Sequence, residues 1–178
     1  MSTAVAELQV RQARDGDSLA FERLIAPLLD PAYRLATSML GESGAAEDAV
    51  QEAAVKAWSR MRQLREPDRL KSWFMGIVVN ECRMARRQRW WNVVRLPDLH
   101  PSSTAPEDRA VATVDLQRAL AALPTEDRAV LFLYYWMDLP LEEVAHATGV
   151  SVGTVKSRIY RAARRLRPGV ALEEALAR

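Results

Sequence analysis

The stretch that decides the fold is Leu141 to Leu166, L-E-E-V-A-H-A-T-G-V-S-V-G-T-V-K-S-R-I-Y-R-A-A-R-R-L. Its first eight residues read as a short helix, and the small Ala145 permits a second helix to pack closely against it. The turn Thr148-Gly149-Val150 follows, where Gly149 can take the positive φ that a sharp turn needs. Ser151 is a good N-cap for the next helix. Within that helix Val152, Val155, Ile159, Ala162 and Leu166 fall on one face at 3.6-residue spacing, so that face packs inward. Thr154, Ser157, Arg158, Arg161 and Arg165 project from the opposite face. This is a helix-turn-helix with a polar and basic outer helix, which fits a major groove with early residues at base edges and later arginines on phosphates. A helical hairpin without a DNA role explains Ala145 and Gly149 but leaves the basic outer face unexplained.

The same helical signal extends through most of the 178 residues. Apolar residues recur at helical spacing from Ser18 to about Leu40, interrupted by Pro27 and Pro31, and a turn follows at Gly41 to Gly44. A second helix is predicted from Ala45 to Met61, with Glu47 and Asp48 in its first turn, where the helix dipole favours acids. Gln63 to Arg69 reads as a loop around Pro67-Asp68, and a third helix runs from about Leu70 through Arg89. Val93 to Asp108 changes character, with Pro97, Pro101 and Pro106 around Ser102, Ser103 and Thr104, a composition that reads as a linker. Sixteen residues span at most roughly 50–58 Å when extended. Helical periodicity resumes from Val111 to Leu123, and Pro124 opens a helix carrying Ala129 to Trp136. No convincing alternating strand and no internal repeat is found. The fold class is therefore all-α: two small helical domains joined by a flexible Pro- and Ser-containing linker, the C-terminal one a helix-turn-helix. The predicted boundaries are 18–91 for the first domain, 92–110 for the linker, 111–168 for the second domain and 169–178 for a tail.

Charge sharpens this division. The formal net charge is only +2, yet 22 of the 25 basic residues are Arg. Arg83 to Arg95 holds five arginines and no acid, and Lys156 to Arg167 holds six basic residues and no acid. Setting those eleven aside leaves −9 for the remainder. An acidic body with two basic segments is the electrostatic footprint of a polyanion binder. The hydrophobic fraction of 49% supports a packed core and excludes a disordered chain. No apolar run reaches the roughly 18 residues of a membrane span. The first ten residues carry neither a basic leader nor an apolar signal core, which predicts a cytoplasmic location. A single cysteine, Cys82, excludes an internal disulfide and a cysteine-based zinc site. No phosphate loop or metal-ligand cluster is present, so no cofactor and no small-molecule substrate are expected.

In the N-terminal half, Asp48, Gln51 and Glu52 share one helix face at i, i+3 and i+4. An acidic helix face is by itself usually just a solvated one. On the third helix Asn80, Arg83 and Arg87 lie together, and Asn with Arg near aromatics can bind bases and phosphates. Trp73 and Phe74 read as core. Trp90 and Trp91 have a weaker claim to the core, because the helix is expected to end there, and they suit nucleic acid or a protein partner.

Taken together, these motifs resemble bacterial RNA polymerase sigma factors of the extracytoplasmic-function group of the sigma-70 family. A-E-D-A-V-Q-E-A-A-V-K-A-W (Ala46 to Trp58) and S-W-F-M-G-I-V-V-N-E-C-R (Ser72 to Arg83) look like region 2. A-L-P-T-E-D-R-A-V-L (Ala122 to Leu131) and the run from Leu141 to Ala162 look like region 4. The ordered pair is far more specific than either motif. The resemblance implies that Asp48, Gln51 and Glu52 dock on core RNA polymerase. It implies that Asn80, Arg83, Arg86 and Arg87 meet the −10 promoter element, and that the loop Gln63 to Arg69 receives a flipped-out −10 base. It assigns Arg128, Ser151, Thr154, Lys156, Ser157, Arg158, Arg161 and Arg165 to the −35 element. Partners implied are core polymerase, promoter DNA and an anti-sigma factor, which can hold such a protein at the membrane without its own insertion. The chain departs from the family pattern at Ala54, where a bulky aromatic is common, and at Val78 and Val79, where a small and a basic residue are common.

The function expected is thus promoter recognition with core polymerase and no bond chemistry. The alternative is a stand-alone helix-turn-helix regulator, which would footprint a promoter without polymerase. An enzyme would have only Cys82 with His100 or His146 to work with, and both histidines have bland readings.

Overall fold

Asp17 sets the start of the first long helix of the N-terminal half: its side chain accepts the backbone N–H groups of Leu19 and Ala20 at 2.9 and 3.1 Å. That helix ends at Gly41, whose φ of 74° lets its N–H turn back to the Thr37 carbonyl at 2.8 Å. In the computed structural model, which describes residues 3–95 and 118–166 (side chains 7–90 and 118–166), the elements run α1 (Thr3–Arg14), α2 (Ser18–Leu40), α3 (Ser43–Arg60), α4 (Leu70–Arg95), α5 (Thr125–Leu131), α6 (Leu141–Thr148) and α7 (Val152–Leu166). Residues 118–121 are also helical, Phe132–Trp136 form a π-helical turn after α5, and short 3-10 turns at Met61–Gln63 and Pro67–Arg69 join α3 to α4. Among the described residues there is no strand.

Pro27 and Pro31 do not break α2, which is continuous through both. The carbonyls that lose a donor belong to Arg23 and Pro27. Arg23, Pro27 and Pro31 are spaced at i, i+4 and i+8, and the first two are exposed. The missing bonds therefore lie along one strip that water reaches, so the cost of each proline is reduced. The second helix begins at Ser43, two residues earlier than expected, so Glu47 and Asp48 fall beyond its first turn, which holds no acid. The third continues to Arg95 rather than ending near Arg89. Residues 92–95, expected in the linker, are thus helical. The loop expected at 63–69 is built around the two 3-10 turns. The remainder of the linker, the 111–117 stretch, His100 and the 169–178 tail lie outside the described residues.

The two halves share one apolar core. Leu35, Ala36, Met39, Phe74, Val78 and Val79 from α2 and α4 join Val130, Leu133, Val144, Val155 and Ile159 from the second half, all essentially inaccessible. Helices α2 and α4 supply the first half's side of the seam, and α5 and α6 the second's. At Gly76 the α4 backbone comes so near that an added Cβ would sit 3.3 Å from the Ala147 Cα and carbonyl oxygen. A smaller cluster lies at the other end, where Val10 and Ala13 of α1 pack with Ala20, Leu24, Met61 and Leu64. Helix α1 lies outside the elements expected from the sequence, which begin at Ser18.

Phe74 is fully buried in the core that the two halves share. Phe74→Ala should destabilise the protein by about 3–5 kcal/mol. Urea unfolding followed by circular dichroism should show a lower midpoint and still a single transition, because the core is shared.

Candidate nucleic-acid interface

The helix-turn-helix forms as its sequence requires. Gly149 has a φ of 67°, its N–H donates to the His146 carbonyl at 3.2 Å, and Val150 N–H donates to Ala145 at 3.1 Å. These two bonds close α6 as a Schellman motif. Ser151 Oγ accepts the Thr154 N–H at 3.2 Å and caps α7. Val155, Ile159, Ala162 and Leu166 are buried, and Lys156, Ser157, Arg161 and Arg165 are exposed. Arg158 is the exception to the outward face expected of it. It is half-buried, with Nη1 3.3 Å from Glu126 Oε2 and Nε 3.9 Å from Asp127 Oδ1. Arg161 reaches the same Asp127 oxygen at 3.8 Å while remaining mostly exposed.

On α4, Asn80, Arg86 and Arg87 are exposed, but Arg83 turns into the seam between the halves. Its Nε donates to Glu126 Oε1 at 3.1 Å and its Nη2 to Glu126 Oε2 at 2.5 Å. Nη2 also donates to the Thr148 carbonyl at 2.9 Å, and Nη1 to Asn80 Oδ1 at 3.4 Å. Glu126 therefore takes one arginine from each half. The Arg83 hydrogen bonds, together with the charges of Arg83 and Arg158, hold its carboxyl below the usual value against the opposing effect of burial.

Arg128 also faces inward. It donates to the carbonyls of Ser38, Ala121 and Leu123 at 2.6, 2.8 and 2.7 Å, and so braces α5 against α2. Burial first, and the nearby Arg86 charge second, lower its pKa from the ordinary value. Lys71 adds a further bridge by donating to the Met137 carbonyl.

A groove of about 430 Å³ runs between α3 and α4, lined by Asp48, Glu52, Lys56, Glu81, Met84 and Arg89 among others. Lys56 Nζ pairs with Glu81 at 2.6 Å. Asp48, Gln51 and Glu52 are all exposed, with Asp48 and Glu52 on the groove. Trp90 is exposed near the end of the described α4 side chains. Cys82 is buried, and burial followed by the Glu81 charge pushes its thiol up to about 12, so it is protonated at neutral pH. His146 is exposed on α6. Among the described residues no helix is long and apolar enough to cross a membrane.

Glu126, Asp127 and Gly76 were not singled out from the sequence. Glu126 and Asp127 directly follow Pro124-Thr125 and look like ordinary first-turn acids satisfying a helix dipole. Nothing in their spacing shows that an arginine 43 residues upstream folds onto them.

Two family models match the chain: sigma-70 region 2 over residues 24–92 and sigma-70 region 4 over residues 113–166. Among curated relatives, RNA polymerase sigma factor SigV of Bacillus subtilis is 38% identical over 136 residues, covering 76% of this chain and 81% of the relative. ECF RNA polymerase sigma factor SigM of Mycobacterium tuberculosis is 35% identical over 154 residues, covering 85% and 77%. Among solved structures, the sigma factor RpoE of Bartonella quintana, in complex with the anti-sigma factor NepR, is similar with a TM-score of 0.73 and 28% identity over 83% of this chain and 94% of that one. CnrH, in complex with the cytosolic domain of CnrY, has a TM-score of 0.66 and 26% identity over 96% and 98%.

The lowered pKa of Glu126 gives a pH signature. A carboxylate held below its unfolded value contributes stability that is complete above that value and is lost as pH falls through the folded one. The stability difference between the native protein and Glu126→Gln should therefore stay constant from neutrality down to the ordinary glutamate value of 4.5 and shrink below it. Denaturant unfolding of both proteins across that range measures it.

Proposed function

The chain belongs to the sigma-70 family of RNA polymerase sigma factors, in its extracytoplasmic-function group, and we propose that it binds core polymerase, recognises a two-part promoter and promotes initiation. The observation that carries this is the ordered pair of region 2 and region 4 matches on one chain. Each falls on a half of the fold with its own basic helix. In this reading the protein lowers the barrier to promoter opening through binding alone, without bond chemistry, and works in the cytoplasm.

On the outer side of α7, Ser157 is exposed and Thr154 half-buried early in the helix, with Lys156, Arg161 and Arg165 exposed around and beyond them. That order suits base contacts near the helix start and phosphate contacts later. Asn80, Arg83, Arg86 and Arg87 supply the second DNA contact, to the −10 element. Two modest contacts on one chain raise each other's effective concentration, which suits recognition of two separated elements. The groove flanked by Asp48 and Glu52, with Gln51 beside them, supplies a face for polymerase. An anti-sigma factor is a further partner, supported by the complex that one structural neighbour forms with an anti-sigma factor. The stand-alone regulator is disfavoured by the family membership.

In vitro transcription with core polymerase on a promoter library tests the whole reading: transcripts should appear only when the protein is added. Asp48→Lys with Glu52→Lys should abolish co-purification with polymerase while circular dichroism stays native. Retained co-purification would remove that face from the interface. Arg161→Ala should weaken DNA binding about equally across sequences and lower the salt slope by about one. A titration series over several salt concentrations reads both effects.

A further inference from the structure

Asp48, Glu52 and Lys56 follow one another at i, i+4 and i+8 along α3, and all three line the groove against α4. A glutamate four residues ahead of a lysine is the spacing at which a helix pairs the two on its own surface. Lys56 does not make that pair. Its Nζ lies 2.6 Å from Glu81 Oε2 on α4, and neither Asp48 nor Glu52 has an ion pair among the described residues. The Glu81 side chain is only 11% exposed and that of Lys56 31%, so their pair sits deeper than the two exposed acids. An ion pair withdrawn from water is screened less than one on an open surface, which favours Glu81 over Glu52 as the partner of the ammonium. Arg89, the other cation lining the groove, is held in the same manner: its Nη1 pairs at 2.7 Å with Glu42, just ahead of α3. Each cation on the groove is thus occupied by an acid other than Asp48 or Glu52.

We propose that Glu81 is a positioning residue for polymerase docking: it holds Lys56 off Glu52, so that the carboxylates of Asp48 and Glu52 stay free for a cationic surface of core polymerase. The proposal rests on the assignment of Asp48, Gln51 and Glu52 to the polymerase. Glu81 itself need not touch the partner. Without its charge, the Lys56 ammonium turns to Glu52, its neighbour on the same helix, and neutralises one of the two docking acids. Removing the ammonium as well leaves Glu52 free again. Loss of affinity in the first case and its recovery in the second are the signature of an electrostatic role. A role in packing alone gives a double variant no better than the single one.

The variants are Glu81→Gln, which keeps the size of the side chain, and the double variant Lys56→Met with Glu81→Gln, which leaves no unpaired charge in the groove. Glu142→Gln, on the exposed start of α6, changes the net charge as Glu81→Gln does and serves as the control. The full chain, labelled at its N-terminus, is titrated with core RNA polymerase in the absence of promoter, and fluorescence anisotropy gives the Kd at several salt concentrations. Circular dichroism establishes that each variant keeps its native helix content. Glu81→Gln should raise the Kd by about fivefold at low salt, with the difference shrinking as salt screens it. The double variant should return close to the native Kd, and Glu142→Gln should leave it unchanged. A native Kd for Glu81→Gln overturns the proposal, and so does a double variant as weak as the single one. Asp48→Lys with Glu52→Lys in the same titration separates the proposal from the reading beneath it. If that variant binds as the native chain does, the docking assignment has failed and the role of Glu81 with it. If it loses binding while Glu81→Gln keeps native affinity, the docking face stands and only the role of Glu81 has failed.

Discussion

The close approach of α4 to α6 is the constraint on which the rest of the arrangement depends. The Gly76 backbone lies so close to Ala147 that a Cβ there would meet backbone atoms at 3.3 Å, and the neighbouring helix would have to give by a few tenths of an ångström to admit it. Backbone cannot swing aside as the end of a long side chain can. Once that contact is made, the last turn of α6 is fixed over α4. The Thr148 carbonyl then lies within 2.9 Å of Arg83, whose fork reaches Glu126. The apolar residues of both halves merge into one cluster, so packing and polar contacts stabilise the same geometry.

Closing the seam brings cations of the two basic segments together, and the acids must compensate. Arg83 and Arg158 meet at Glu126, Arg158 and Arg161 lean on Asp127, and Arg86 is near enough to Arg128 to disfavour its charge. Asp127 is almost fully buried and Glu126 half-buried, so their carboxylates act where water screens less than at an open surface. The acidic body seen in the charge arithmetic is thus divided between two tasks. Glu126 and Asp127 neutralise arginines inside the protein, while Asp48 and Glu52 stand exposed on the groove between α3 and α4.

What the sequence made legible was local. The helix-turn-helix follows from Gly149, Ser151 and the spacing of Val155, Ile159 and Leu166, and each behaves as the pattern requires. Phe74 is core because it shares its helix face with Ile77 and Val78, both buried. The misread boundaries have physical reasons. Proline at 27 and 31 signals a break, yet the lost hydrogen bonds fall on a solvent-facing strip. The basic run after Arg83 lacks apolar periodicity, so the continuation of α4 to Arg95 left no pattern to follow. Arg158 lies at an outward position on its own helix, and only the placement of α5 beside α7 turns it inward. The contacts at Glu126 and Gly76 are long-range in sequence, and periodicity carries no information about which helix faces which.

The two proposed surfaces stand differently in the folded chain. The groove that includes Asp48 and Glu52 is lined by α3 and α4 alone, so it takes no residue from the second half. Arg83 and Arg158 are instead tied to Glu126 across the seam. An arginine fork seats on a carboxylate or on a phosphate with the same geometry, so a phosphate would compete with Glu126 for these two side chains. Asn80, Arg86, Arg87, Lys156, Ser157 and Arg165 are exposed as the chain stands. The basic segments are therefore divided between arginines that hold the fold together and basic or polar groups that face water.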